Sequence, residues 1–263
     1  MWNTRTGQVV AQRRLPGGSV QDIAYSAGDG SRIAIGQASG LATLLDSDTL
    51  EPVGKPVQVG ASISWLSAGP DNRSAVVLTG GRNFGLDFAV PSTGWALLDL
   101  ETGTVVRTGR LTLRNPEGVA FSPDGRHVAI GSQHGEVMVL DTATGTAVGP
   151  PLKLHKDPIN SLAYSTDGSR LVSSGADGTV TLIDGNSAAL FGSVVIPEQT
   201  LTTADFRPDG RTVVITPYDD GIYHWDTRLE HAIDHACQAA GRDLTTEEWR
   251  ENLGDRPFRQ TCP

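Results

Sequence analysis

The chain is poor in most of what marks an enzyme, a nucleic-acid binder or a membrane protein. Two cysteines in 263 residues cannot build a disulfide framework. Lys and Arg total 21 against 30 Asp and Glu, a net charge of −9. That balance argues against a nucleic-acid surface, which needs a basic patch to meet phosphates. No apolar run approaches the roughly 20 residues of a membrane span, and no apolar leader opens the sequence. The expected compartment is therefore the cytoplasm. Aromatics make up only 6%, and there is neither a phosphate-cradling glycine loop nor a kinase signature. No cofactor and no metal are expected, and the partner class left open is protein.

What is present is a repeat. A hydrophobic residue followed by Asp or Asn and a turn occurs at Trp2-Asn3, Leu45-Asp46, Leu98-Asp99, Leu140-Asp141, Ile183-Asp184 and Trp225-Asp226. The intervals between the acidic or amide positions are 43, 53, 42, 43 and 42 residues. A period near forty marks a repeat architecture. Each unit carries the same parts in the same order. An apolar stretch (Gly118 to Phe121) leads into Ser122-Pro123-Asp124-Gly125, where Pro, Asp and Gly each suit a turn position. A second run follows, then a tight turn ending in Gly, as at Ser39-Gly40, His134-Gly135, Asp177-Gly178 and Asp220-Gly221. Such dipeptides close β-hairpins. A third run ends at the recurring acid, and a Thr-Gly turn opens a fourth. Four short antiparallel strands per period make one blade of an all-β propeller, here about five blades. Blades stack because one sheet cannot bury both its faces alone.

These residues resemble the WD-repeat β-propeller family from Trp2 to Asp226. In that family a His before the first strand, a Ser in the second, an Asp in the next turn and a Trp ending the third form a buried network. His155, Ser173 and Asp177 match it, while Ile183 stands in the Trp position. Trp2 and Trp225 match the family Trp; Leu45, Leu98 and Leu140 do not. The resemblance therefore implies an incomplete network and blades held mainly by packing. It also implies that His155, Ser173 and Asp177 are structural, although the same residue types make up a hydrolase triad.

The ends depart from the repeat. Met1 to Gly7 reads as the end of a third strand and its turn, with Gln8 to Arg14 as a fourth strand. Either the first blade is truncated and the chain is the C-terminal part of a longer protein, or Gln8 to Arg14 closes the ring beside the last blade, which lacks a fourth strand. The expected layout is a propeller over 1–228 and a helical tail over 229–263. Leu229, Ala232, Ile233, Ala236, Cys237 and Ala240 fall at helical spacing. Thr245 and Glu248 have the spacing of a capping box, with Trp249 as the second helix's apolar anchor. Cys237 and Cys262 could form a disulfide or remain two neighbouring thiols. His231 and His235 have metal-compatible spacing but no third ligand, so a polar helix face accounts for them. Cys237, Ala240-Gly241-Arg242, Leu244-Thr245, Glu248-Trp249 and Thr261-Cys262-Pro263 resemble the closing segment of actinobacterial-type signalling repeat proteins.

One element breaks the period. The 53-residue interval holds about ten extra residues between the second and third strands of its unit, within Thr79 to Thr93. Phe84, Leu86, Phe88 and Val90 alternate there, as in an extended hairpin. Insertions of this kind commonly map to a binding face. A surface insertion folded onto its own blade is the other reading. The expected function is a non-catalytic interaction scaffold or sensory module of a larger signalling protein. Its partner surface would include Arg82, Phe84, Leu86, Phe88, Arg114, His134, His155 and Asp220, with Trp225, Cys237, Trp249 and Cys262 structural. The alternative is a small-ligand or enzymatic propeller with its site in the central channel. The first strands supply mainly Ala24, Ser64, Ala120, Ala163 and Ala204 to that channel.

Overall fold

The computed structural model describes residues 1–26, 28–80, 94–196, 201–218, 221–228, 231, 237–238, 241–253, 257–258, 260 and 262. Five antiparallel sheets follow one another in chain order. Blade one holds β1 (Val20–Tyr25), β2 (Arg32–Gln37), β3 (Leu41–Asp46) and β4 (Pro52–Gln58). Blade two holds β5 (Ile63–Ala68), β6 (Ser74–Thr79), β7 (Gly94–Asp99) and β8 (Thr104–Arg110). Blade three holds β9 (Pro116–Phe121), β10 (His127–Ser132), β11 (Glu136–Asp141) and the short β12 (Leu152–Lys153). Blade four holds β13 (Ile159–Tyr164), β14 (Arg170–Gly175), β15 (Thr179–Asp184) and β16 (Leu190–Val195). Blade five has three strands, β17 (Thr202–Phe206), β18 (Thr212–Pro217) and β19 (Tyr223–Asp226). Helix α1 (Thr246–Leu253) lies in the tail.

The recurring acid has one physical job. Asp46 accepts the amides of Asp48 and Thr49, Asp99 those of Glu101 and Thr102, Asp141 that of Thr144, and Asp184 those of Asn186 and Ser187. Each carboxylate thus satisfies the amides of the turn from third to fourth strand. At three of these positions, and at Asp226 in blade five, the carboxyl is held below its ordinary range. The amide and hydroxyl of Thr49 lead at Asp46, those of Thr144 at Asp141 and the amide of Ser187 at Asp184. At Asp226 the leading cause is the Arg228 guanidinium.

Packing between blades comes from alternating side chains. The far face of blade one (Ala34, Ala42, Leu44) buries against Ala75, Val77 and Leu98 of blade two. Blade two in turn presents Val76, Leu78 and Trp95 to Phe121, Val128, Ile130 and Met138 of blade three. First strands touch first strands at every junction from β1 to β17. Side chain-to-backbone bonds staple three of those junctions. Asp22 accepts the Leu66 amide at 2.7 Å, Ser67 Oγ the Phe121 amide at 3.2 Å and Ser161 Oγ the Ala204 amide at 2.9 Å.

The N-terminus corrects one expectation. Gln8 to Arg14 does not join blade five, and β19 has no outer neighbour among the described residues. Instead residues 1–11 fold on themselves, with Trp2 bridged to Val9. The polypeptide after Ala11 is carried away by its ties to blade one. Arg13 pairs with Glu51 at 2.7 Å, and Gln37 Nε2 donates to the carbonyls of Pro16 and Gly18.

Candidate functional site

The network foreseen in blade four forms. His155 Nε2 lies 2.8 Å from Ser173 Oγ, and Nδ1 lies 3.4 Å from Asp177 Oδ1. Asp177 also accepts the amides of Lys156 at 2.7 Å and Thr179 at 3.0 Å. Its carboxylate therefore ties the β14–β15 turn to the approach of β13. Burial lowers the proton affinity of His155, and this outweighs the opposite pull of Asp177. Burial would raise Asp177, but the two amides and His155 outweigh it and hold the carboxyl low. Ile183 fills the Trp position as a fully buried aliphatic residue. Thr181, opposite Ser173, has a buried hydroxyl without a partner.

This arrangement corrects the placement of His155 in a partner surface. The residue is 2% exposed and its ring is committed inside the blade, so only its backbone reaches that face. Exposed there are Lys156 and Asp157, next in sequence.

Around them the structure gathers the loops that lead into first strands and those joining second to third strands. The amides of Leu154 and His155 both donate to the Gly135 carbonyl at 3.0 Å. Gly135 sits at φ +69, and a Cβ there would lie 2.2 Å from the His155 oxygen, so only glycine allows this approach. The Lys153 ammonium donates to the His134 carbonyl. Asn115 Nδ2 donates to Gln133 Oε1 at 3.0 Å, and Gln133 Nε2 to Glu117 Oε1 at 2.9 Å. Arg114, Gln133, His134 and Lys156 are exposed on this scaffold. The strands that flank the insertion in sequence, β6 and β7, pair directly at their ends, Thr79 with Gly94. Arg82, Phe84, Leu86, Phe88 and Asp220 lie outside the described residues.

The channel strands carry acids that the alanine-rich reading missed. Asp22 is pushed up by burial, against the opposing amides of Leu66 and Ile23, and Glu117 is buried with Gln133 on its carboxylate. Both stand in strands read for their small residues. Asp22 falls at a break in the β1–β2 register, a feature of the folded structure that no sequence pattern marks. Among the described residues, no three His, Cys, Asp or Glu side chains gather as a metal site.

In the tail, the capping box is made in both directions. Thr245 Oγ1 accepts the Glu248 amide at 3.2 Å, and Glu248 accepts the Thr245 amide at 2.8 Å. Arg242 pairs with Glu248 at 2.7 Å and is the main reason its carboxyl falls to about 2. Trp249 is 5% exposed and meets Phe258 edge-to-face at 5.4 Å. Cys237 and Cys262 are joined as a disulfide with Cα atoms 5.5 Å apart. His231, Cys237 and Gln238 are helical, whereas the other positions of the expected first helix lie outside the described residues. Exposed His231 bonds Asp226, and Trp225 packs half-buried beside Val213 and Ile215.

Comparison with known proteins agrees with this architecture. Residues 150–184 match the WD domain, G-beta repeat. The WD repeat-containing protein SL1-17 of Schistosoma mansoni is 33% identical over 135 residues, covering 50% of this chain and 43% of that protein. Actin-interacting protein 1 of Drosophila melanogaster is 28% identical over 192 residues, covering 67% and 28%. The chain thus spans less than half the length of either relative. The β-propeller domain of Myceliophteria thermophila Cps50 (Swd1) superimposes with a TM-score of 0.64 at 14% identity, covering 86% of this chain and 74% of that one. No helix among the described residues is long and apolar enough to cross a membrane. Residues 150–184 are thus similar to a WD repeat, and the chain as a whole has a β-propeller fold.

Proposed function

We propose that this chain is a non-catalytic docking module that binds a protein partner across the loop face bearing Arg114, His134 and Lys156. The observation that carries the reading is the contrast between committed and free groups. In the His155–Ser173–Asp177 set, which has the residue types of a hydrolase triad, His155 and Ser173 are buried inside blade four and Asp177 is bonded to His155. The loops around it present exposed Arg, His and Lys on a rigid frame. Arg82, Phe84, Leu86, Phe88 and Asp220 belong to the same surface in this reading, because Arg and aromatic side chains dominate interface hot spots. The relatives' architecture supports a scaffold role.

The finer parts of the proposal are a propeller over 1–228, a helical tail over 229–263 and a place in a larger, actinobacterial-type signalling protein. Cytoplasmic placement belongs to it too, and the Cys237–Cys262 bridge bears on that directly. Such bonds persist in oxidising compartments and are reduced in most cytosols. Free-thiol titration of protein taken from its native cells decides the point: two free thiols support the cytoplasm, none contradicts it.

The test replaces residues 81–92 with a short Gly-containing turn and, separately, introduces Arg114→Glu with Lys156→Glu. Both variants should keep the far-ultraviolet spectrum and melting temperature of the parent. Partners captured by cross-linking from native cells should fall at least tenfold with either. Unchanged capture by both variants would reject the assignment.

A further inference from the structure

The tail is anchored to the propeller at one end and closed on itself at the other. Upstream, Asp226 of blade five takes the Arg228 guanidinium and, at 2.9 Å, His231 Nδ1. The helical turn at Cys237 and Gln238 ends at Gly241, whose amide donates to the Cys237 carbonyl at 2.8 Å. Gly241 sits at φ +66, the conformation in which glycine stops a helix. That turn brings Arg242 and Asp243 back beside Cys237. Helix α1 follows, capped by Thr245 and Glu248. It carries Trp249, the one buried residue among the described residues of the tail.

Beyond α1 the polypeptide doubles back. The return is held by the Phe258 ring on Trp249, by the Cys262 amide on Asp243 Oδ1 at 2.7 Å, and by the bridge to Cys237. Phe258 is itself 50% exposed. A half-exposed ring pair and a single hydrogen bond are small terms beside a cross-link between residues 25 apart in sequence. The order of the return segment therefore rests mainly on the covalent bond.

The bond is also within reach of solvent. Both cysteines are only half-buried, and they line a polar cleft of about 420 Å³ with Gln238, Arg242, Asp243 and Gln260. Thiol–disulfide exchange needs a thiolate to reach a bridge sulfur, and exposed bridges are the labile ones.

We propose that the Cys237–Cys262 bridge is a redox latch on the tail: a dithiol that enters this cleft opens the bond, and the segment carrying Phe258 then leaves Trp249. One thiolate of the reductant attacks a bridge sulfur and forms a mixed disulfide. The other cysteine sulfur leaves as a thiolate and takes up a proton. The reductant's second thiol loses its proton and attacks the mixed disulfide, and the remaining cysteine leaves and is protonated. Two electrons pass to the bridge, which ends as two thiols, while the reductant ends as a disulfide. Oxidised glutathione reverses the exchange and is released as two molecules of glutathione. The latch acts on the tail and does not depend on the partner-binding reading of the loop face.

The test incubates the full oxidised chain with dithiothreitol at neutral pH without denaturant and counts thiols by alkylation. The bridge should open while the far-ultraviolet spectrum of the propeller stays unchanged. Arg250, exposed on α1, reports the release. Trypsin should cut after it at least tenfold faster in the reduced chain. Amide exchange over residues 246–253 should quicken by the same factor, with β13 to β15 within twofold. Oxidised glutathione should restore the slow rates. Cys237→Ser with Cys262→Ser should be cut fast from the start and be insensitive to dithiothreitol, which assigns the effect to this bond. A bridge that opens only when the propeller melts is a permanent staple and overturns the proposal. So does a bridge that opens with cutting at Arg250 unchanged, because the tail is then ordered without it.

Discussion

Tyr25 and Phe121 hold the same register position in their blades, opposite Ile33 and Val128, yet Phe121 is 8% exposed and Tyr25 is 57% exposed. The difference is made by what precedes each blade. Phe121 lies under Val76 and Leu78 of blade two, whereas Tyr25 lines an open cleft beside Met1, Trp2 and Val9. Stability in a stacked array comes mostly from such nearest-neighbour faces. Blade one should therefore open before blades two to four in native-state hydrogen exchange. Uniform protection across the blades would contradict this.

The buried His155 gives the fold an acid sensitivity of definite sign. Its folded proton affinity is below that of an unfolded imidazole, whose pKa is about 6.5. The unfolded chain therefore binds the proton first, and stability falls as pH drops below about 6.5. The slope cannot exceed about 1.4 kcal/mol per pH unit, and it ends once the folded imidazole is also protonated. Asp177 adds stability that is present above the ordinary carboxylate range and lost as pH falls through its lowered folded value. Urea midpoints at pH 7, 6 and 5 should decline for the parent chain. In His155→Gln the decline should be smaller, from a lower starting value. Parallel declines in the two proteins would contradict this account of His155.

Tyr164 offers a gain. It packs against the core between blades three and four, and its hydroxyl is buried without a partner. Burial drives the phenol's pKa well above its ordinary value. An unpaired buried hydroxyl costs free energy that its removal recovers. Tyr164→Phe should raise unfolding stability by about 1 kcal/mol in urea titrations, and a loss of similar size would show that the hydroxyl is satisfied.

The tail should behave as a packed element. Trp249 is nearly buried against Phe258, and the Cys237–Cys262 bridge closes the segment that carries both the Arg242–Glu248 pair and the capping box. Trp249→Ala should cost about 3 kcal/mol, as aromatic truncation does in packed sites. A loss below about 0.5 kcal/mol, the size usual at unimportant surface positions, would make the tail a loose appendage.

Much of this was legible in the residues. The hydrophobic–acid–turn pattern marks the turn from third to fourth strand because one carboxylate can satisfy its amides in every unit, and Asn3 keeps that signature with an amide. Thr245 and Glu248 declared their capping box by spacing alone. His155, Ser173 and Asp177 were readable as a buried set from the family pattern, yet the sequence also puts His155 on the partner surface; its commitment inside the blade rules out that second role. The failed ring closure was not readable. Gln8 to Arg14 looks like a strand by composition, yet its course is set by Arg13–Glu51 and Gln37–Pro16, which are contacts across the fold. The acids of the channel were hidden because Asp22 and Glu117 stand in strands read only for their alanines, Ala24 and Ala120. Their commitment to Leu66 and Gln133 is visible only in three dimensions.

The central claim is that this propeller works through its loop face and not through its channel. The most direct measurement compares partner capture by three full-length proteins: the parent, Arg114→Glu with Lys156→Glu on the loop face, and Asp22→Asn in the channel, which keeps an acceptor for the Leu66 amide. The account predicts at least a tenfold loss for the loop-face variant and capture within twofold of the parent for Asp22→Asn. Loss with Asp22→Asn and full capture by the loop-face variant would contradict it.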